Sequence, residues 1–136
     1  MTTPGATLHL SLADRMEAIE QAYELMLAYA AQGRQNDTDD NSSLRRFLRR
    51  ADAALCGLAA CLRETVATTQ AAAYADFIAV LEQDANRTRA ALRLVLAQKA
   101  LSSQLVDNLN ASIHIRALLT DIFLIDEALK SSRSDD

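Results

Sequence analysis

The chain has 136 residues, enough for one domain, expected over 1–136, with a core that needs no disulfide or metal staple. Half of the residues are apolar, 24% are charged and the net charge is −4, a mix that fits a soluble globular protein and disfavours a general nucleic-acid binder, which is usually basic. Only three glycines and one proline occur, and neither follows Gly57, so the frequent turns of an all-β fold are missing and long helices are expected.

Residues 1–10 read as an irregular lead-in. The opening "MTTPGATLHLSLADRME" lacks a basic segment followed by an apolar one, so no signal peptide is expected. Ser11 to Asp14 forms an S-x-x-D start signal. From there Leu12, Met16, Ile19, Tyr23, Met26 and Ala30 alternate spacings of four and three, which places them on one helical face. Gly33 is a natural stop, so a first helix is expected over 12–32.

The stretch 33–43, "GRQNDTDDNSS", is a polar loop whose side chains compete for backbone hydrogen bonds. Ser42 or Ser43 then caps a second helix. Leu44, Leu48, Ala51, Leu55, Leu58, Leu62 and Thr65 keep the same alternation over three heptads. "TVATTQ" (65–70) is the next expected connection.

Tyr74, Ile78, Leu81, Ala85, Thr88, Leu92 and Val95 define a third face. The polar middle, "EQDANRTR", keeps the phase, so one continuous helix is expected. The last third admits two readings. Ser102 and Ser103 are candidate caps for a fourth helix, yet Val106, Leu109 and Ile113 continue the third phase. "NLNAS" (108–112) is the other candidate turn, so the third helix ends near 101 or near 109. Ile115, Leu118, Ile122, Ile125 and Leu129 then form a new face, and 131–136 is expected to fray.

Reaction chemistry is scarce. The only histidines are His9 and His114, and neither stands three after a glutamate, as a di-iron bundle requires. Cys56 and Cys61 make a poor zinc set with them. Five residues apart on one helix, they point about 140° apart and cannot bridge. They read as reduced, buried thiols of a cytoplasmic protein. No glycine-rich phosphate loop or nucleophile elbow is present. No metal, no cofactor and no enzymatic activity are expected, and no apolar run is long enough for a membrane span.

Four features remain. Asp14, Glu17, Glu20 and Glu24 form an acidic stripe that reads as a solvated face. Tyr23, Tyr29, Phe47, Tyr74, Phe77 and Phe123 read as core filler. His114 invites comparison with phosphotransfer histidines, but their basic residue follows three later and Arg116 follows two later; the simpler reading is a partly buried structural histidine at a helix start.

The fourth is "SSLRRFLRRADAALCGLAACLRE" (42–64). Arg45, Arg46, Arg49 and Arg50 oppose the dipole at a helix N-terminus, so something should offset them. The candidates are an anionic partner, a second subunit, the acidic stripe, or Asp37, Asp39 and Asp40. Nucleic acid is disfavoured, because stacking aromatics are missing. Opposite the leucine seam, Ala53, Cys56, Gly57 and Ala60 allow close backbone approach, and a helix apolar on both sides needs two neighbours.

The expected fold is an all-α, antiparallel up-and-down four-helix bundle, dimeric through the second helix. Alanine-rich, arginine-over-lysine usage points to a GC-rich bacterial genome. The expected function is a non-enzymatic cytoplasmic interaction protein, an adaptor, small regulator or chaperone, with an unidentified protein partner. The alternatives are a phosphotransfer module using His114 and a binder of a small apolar ligand between helices.

Overall fold

The computed structural model describes residues 10–33, 43–66 and 70–134. The expected lead-in, the acid-rich loop with Asp37, Asp39 and Asp40, and Ser42 lie outside the described residues, apart from the edges of those segments. Six helices and no strand occur among the described residues: α1 (Leu12–Ala30), α2 (Ser43–Leu55), α3 (Leu58–Thr65), α4 (Ala71–Leu96), α5 (Ser103–Asn110) and α6 (Ile113–Ser134). The fold is all-helical.

Helix α1 begins as its sequence requires. Ser11 is the N-cap, and its Oγ accepts from the Asp14 N–H at 3.1 Å. Met16, Ile19 and Met26 are buried on the expected face, with Ala18, Ala22 and Tyr29 beside them.

The second helix departs from expectation. One rod was expected over 44–65, but the chain breaks at Gly57, whose φ of +86° lies in the left-handed region. The leucine seam survives the break. Leu44, Leu48 and Leu55 on α2 and Leu58 and Leu62 on α3 are all at most 4% exposed. Their spacing continues through the turn because α3 restarts with the same side inward.

Arg15 explains how the break is stabilised. The last carbonyls of a helix have no intrahelical donor and carry partial negative charge. Arg15, 8% exposed, supplies the donors from α1: its Nη1 donates to Ala54 O at 2.9 Å and Cys56 O at 2.6 Å, and its Nε to Leu10 O at 3.2 Å. The same contact sets the start of α1 against the end of α2, so the two pack antiparallel.

Helix α4 is continuous through "EQDANRTR", as its phase indicated. It ends at Leu96, earlier than either expected end. Arg45 caps that end from α2. Its Nη1 donates to Leu96 O at 3.1 Å, and its Nη2 to Gln98 O at 2.7 Å and Lys99 O at 3.1 Å. Asp52 reaches Arg89 at 2.9 Å, and Arg63 reaches Glu82 at 3.1 Å. The rising numbers on α2 and α3 meet falling numbers on α4, so both lie antiparallel along it.

Both candidate turns in the last third are real, and α5 lies between them. Ser102 caps α5, its Oγ accepting from the Leu105 N–H at 3.0 Å. Ser103 Oγ donates to Tyr29 O, and Tyr29 Oη donates to Leu101 O, which pins the turn to α1. After Ser112, α6 runs back along α4. Thr88 Oγ1 donates to His114 O at 3.1 Å, while Tyr74 and Phe77 lie beside Ile125 and Ala128. Helix α6 extends through Ser134, into the stretch expected to fray.

Candidate interaction surface

An exposed apolar surface lies along α4 and α6. Helix α6 packs mainly on α4, burying Ile115, Leu118, Ile122, Ile125 and Leu129. Its opposite side is also partly apolar: Ile113 is 74% exposed, Phe123 56% and Leu124 57%. On α4, Val80 is 48% exposed. Where the two helices diverge, a groove of about 210 Å³ is lined by Ala73, Tyr74, Phe77, Leu124, Ile125 and Ala128. Such clustering, unlike single exposed apolar residues, marks contact surfaces. Phe123 therefore departs from its expected place in the core, because it falls on the side of α6 turned away from α4.

The pair Asp84 and Asp121 lies along the same helix contact. Asp121 is 8% exposed. Burial, then a hydrogen bond to Asp84, then the charge of Asp84 push its carboxyl from the ordinary carboxylate range up to about 7. Arg87 Nη1 stands 3.5 Å from Asp84 Oδ1.

The arginines of α2 do not act as one face. Arg45 is 3% exposed and belongs to the end of α4, so it is not on the surface. Arg46, Arg49 and Arg50 are exposed, and the Arg50 guanidinium lies over the Phe47 ring, 5.4 Å from its centroid. Carbonyls at the C-terminal pole of α4 offset the dipole cost of Arg45 at the start of α2.

Ala53, Cys56, Gly57 and Ala60 are all exposed, a ridge of small side chains around the break. A Cβ on Gly57 would meet the Arg15 guanidinium at 3.6 Å. The cysteines are not buried as expected: Cys56 is exposed and Cys61 partly so, because both fall outside the leucine seam. Next to them, Arg89 and Arg93 converge on Asp52, and the bond to Asp52 raises the Arg89 pKa.

His114 is exposed, as is Ile113 before it, so the expected partial burial does not occur. Its backbone does mark a helix start: its N–H donates to Ser112 Oγ at 3.1 Å. Asp14, Glu17 and Glu24 are exposed and Glu20 is half-buried, and Glu17 accepts from Gln21 at 3.1 Å. Among the described residues no group of three or more His, Cys, Asp or Glu could hold a metal ion. No described helix is long and apolar enough to cross a membrane.

A cavity inside the core, lined in part by Ile19, Met26, Leu92 and Leu118, measures about 10 Å³. That is at the lower limit for one water molecule and is far below a cofactor. No family model, curated protein or solved structure matches the chain.

Proposed function

We propose that this chain is a non-enzymatic interaction protein, an adaptor, small regulator or chaperone-like protein of the bacterial cytoplasm, that engages a protein partner through the α4–α6 groove. The observation that carries this reading is the groove itself, apolar along both walls, with Leu124 more than half exposed in one of them. An apolar helix or loop of a partner would bury that surface and gain roughly 25 cal/mol per Å² of apolar area. Capture from native-host lysate tests it. Immobilised wild type should retain a partner that Leu124→Arg loses, with the helical circular dichroism of the two unchanged. Equal recovery by both proteins would remove the groove from the reading.

We read the six helices as four rods in up-and-down order: α1, α2 with α3, α4, and α6, with α5 as a short insertion. The antiparallel contacts at Arg15, Arg45, Asp52 and Thr88 support that arrangement. The small-residue ridge on α2 and α3 suits a second copy of the chain, so we propose a homodimer. Sedimentation at micromolar concentration should then show twice the 14.8 kDa chain mass, and a monomer alone would exclude it. A phosphotransfer role is favoured by one observation, the open position of His114 on α6. A cognate kinase should then label wild type and not His114→Ala.

A further inference from the structure

Among the described residues Asp121 is the buried carboxyl of the α4–α6 contact, and its surroundings restrict its protonation. An ionised carboxylate can only accept hydrogen bonds, so a buried one needs donors. Asp121 Oδ2 is enclosed, and no N–H or O–H group of the described residues donates to it. What faces Asp121 across the helix contact is another acceptor, the carboxyl of Asp84. Two ionised acids there would repel each other, and Oδ2 of Asp121 would still lack a donor. One proton resolves both problems, because a protonated Asp121 becomes the donor and Asp84 the acceptor. Arg87 stands on the Asp84 side, 3.5 Å from Oδ1, so Asp84 has a counter-ion and Asp121 keeps the proton.

We infer that Asp84 and Asp121 form a proton site in which a single proton, carried by Asp121 and donated to Asp84, holds α6 against α4, and that its loss in alkaline solution loosens this helix pair. The inference stands whether or not a partner uses the neighbouring groove. Asp121 also borders a shallow depression with Arg116, Ala117 and Thr120, which gives the proton a route to solvent. Helix α6 is suited to respond. It packs mainly on α4, so the α4 contact is the main one that fixes it.

The other charges around this contact are accounted for. On α4, Glu82 pairs with Arg63, and Arg89 and Arg93 with Asp52, all on the flank of α2 and α3. Asp76 is exposed. On α5 the ionisable residue is Asp107, also exposed. On α6 itself, Arg116 precedes the pair, while Glu127 follows it and Asp126 binds Lys130 at 3.1 Å. His114, on the same helix, is exposed.

The experiment follows the carboxyl ¹³C shifts of labelled protein through a pH titration, together with amide hydrogen exchange at about pH 6 and pH 8.5, corrected for intrinsic rates. One aspartate should titrate near 7 and be missing in Asp121→Asn. Protection of α6 amides should fall about tenfold or more across that interval in wild type and hold constant in the variant. Should Asp121→Asn fail to fold, Asp84→Asn serves, because removing the facing charge should lower the Asp121 midpoint. Aspartates that all titrate below about pH 5, or an unmoved midpoint in Asp84→Asn, would overturn the inference. So would a loss of α6 protection that persists in Asp121→Asn, which would assign the effect to another group.

Discussion

Two arginines do work here that their class rarely does. Arg15 and Arg45 are almost fully buried, and each places its donors on the carbonyls that end a neighbouring helix. A buried guanidinium without partners would be costly, but several hydrogen bonds and the negative pole of a helix offset that cost. Arg45 therefore belongs to the packing of α2 on α4, while Arg46 beside it is exposed. Arg45→Met should destabilise the fold by about 2–4 kcal/mol, since it leaves three carbonyls without their donor. Arg45→Lys should recover only part of this, because an ammonium cannot span the three acceptors as a planar fork does. Arg46→Ala should change stability by less than about 0.5 kcal/mol. Urea unfolding of the three variants measures all of this. A small effect from Arg45→Met would mean that water caps α4 equally well.

At the level of the helices, the breaks matter more than the rods. Gly57 divides what the leucine spacing presents as one helix, and it does so in a conformation that suits glycine. An added Cβ would find ordinary space beside Arg15, so the cost of Gly57→Ala should come from the backbone, about 1–2 kcal/mol. Thermal unfolding checks this, and an unchanged or raised midpoint would show that α2 and α3 merge without penalty. The inward faces were legible in the sequence because burial repeats with the helical period: Leu48, Leu62, Leu81 and Leu118 lie where their spacing put them. The breaks were harder to read. Leu55 and Leu58 keep their phase across Gly57, so periodicity carries no mark of the turn, and the glycine itself was the signal. In the last third, serine caps at Ser102 and Ser112 are both used, whereas a four-helix reading required a choice between them. The groove was legible in principle. "IFLI" (122–125) is apolar on all sides of a helix, so it cannot all face one neighbour. Arg15 and Arg45 were not legible as caps, because their partners lie 39 and 51 or more residues away.

For the molecule as a whole, the Asp121 carboxyl sets a dependence of stability on pH that runs against the usual acid lability. Its folded pKa is raised to about 7 from 3.8, chiefly by burial. Below the unfolded value both states hold the proton, and the contribution to stability is complete. Between the two values the unfolded chain releases its proton while the folded chain keeps it. The folded state then binds more protons, so stability falls as pH rises, and the contribution is lost by the time the pH has passed the folded value. Groups that do not interact with Asp121 add the same dependence to wild type and to Asp121→Asn and cancel in the difference between them. An asparagine at this position keeps an N–H donor for Asp84 and never ionises. The melting temperature of Asp121→Asn relative to wild type should therefore rise by a few degrees between about pH 5 and about pH 7 and level off above that. A difference that stays constant across that range would show that Asp121 is ionised in the folded protein throughout, and the α4–α6 contact would then need another source for the donor that Oδ2 lacks.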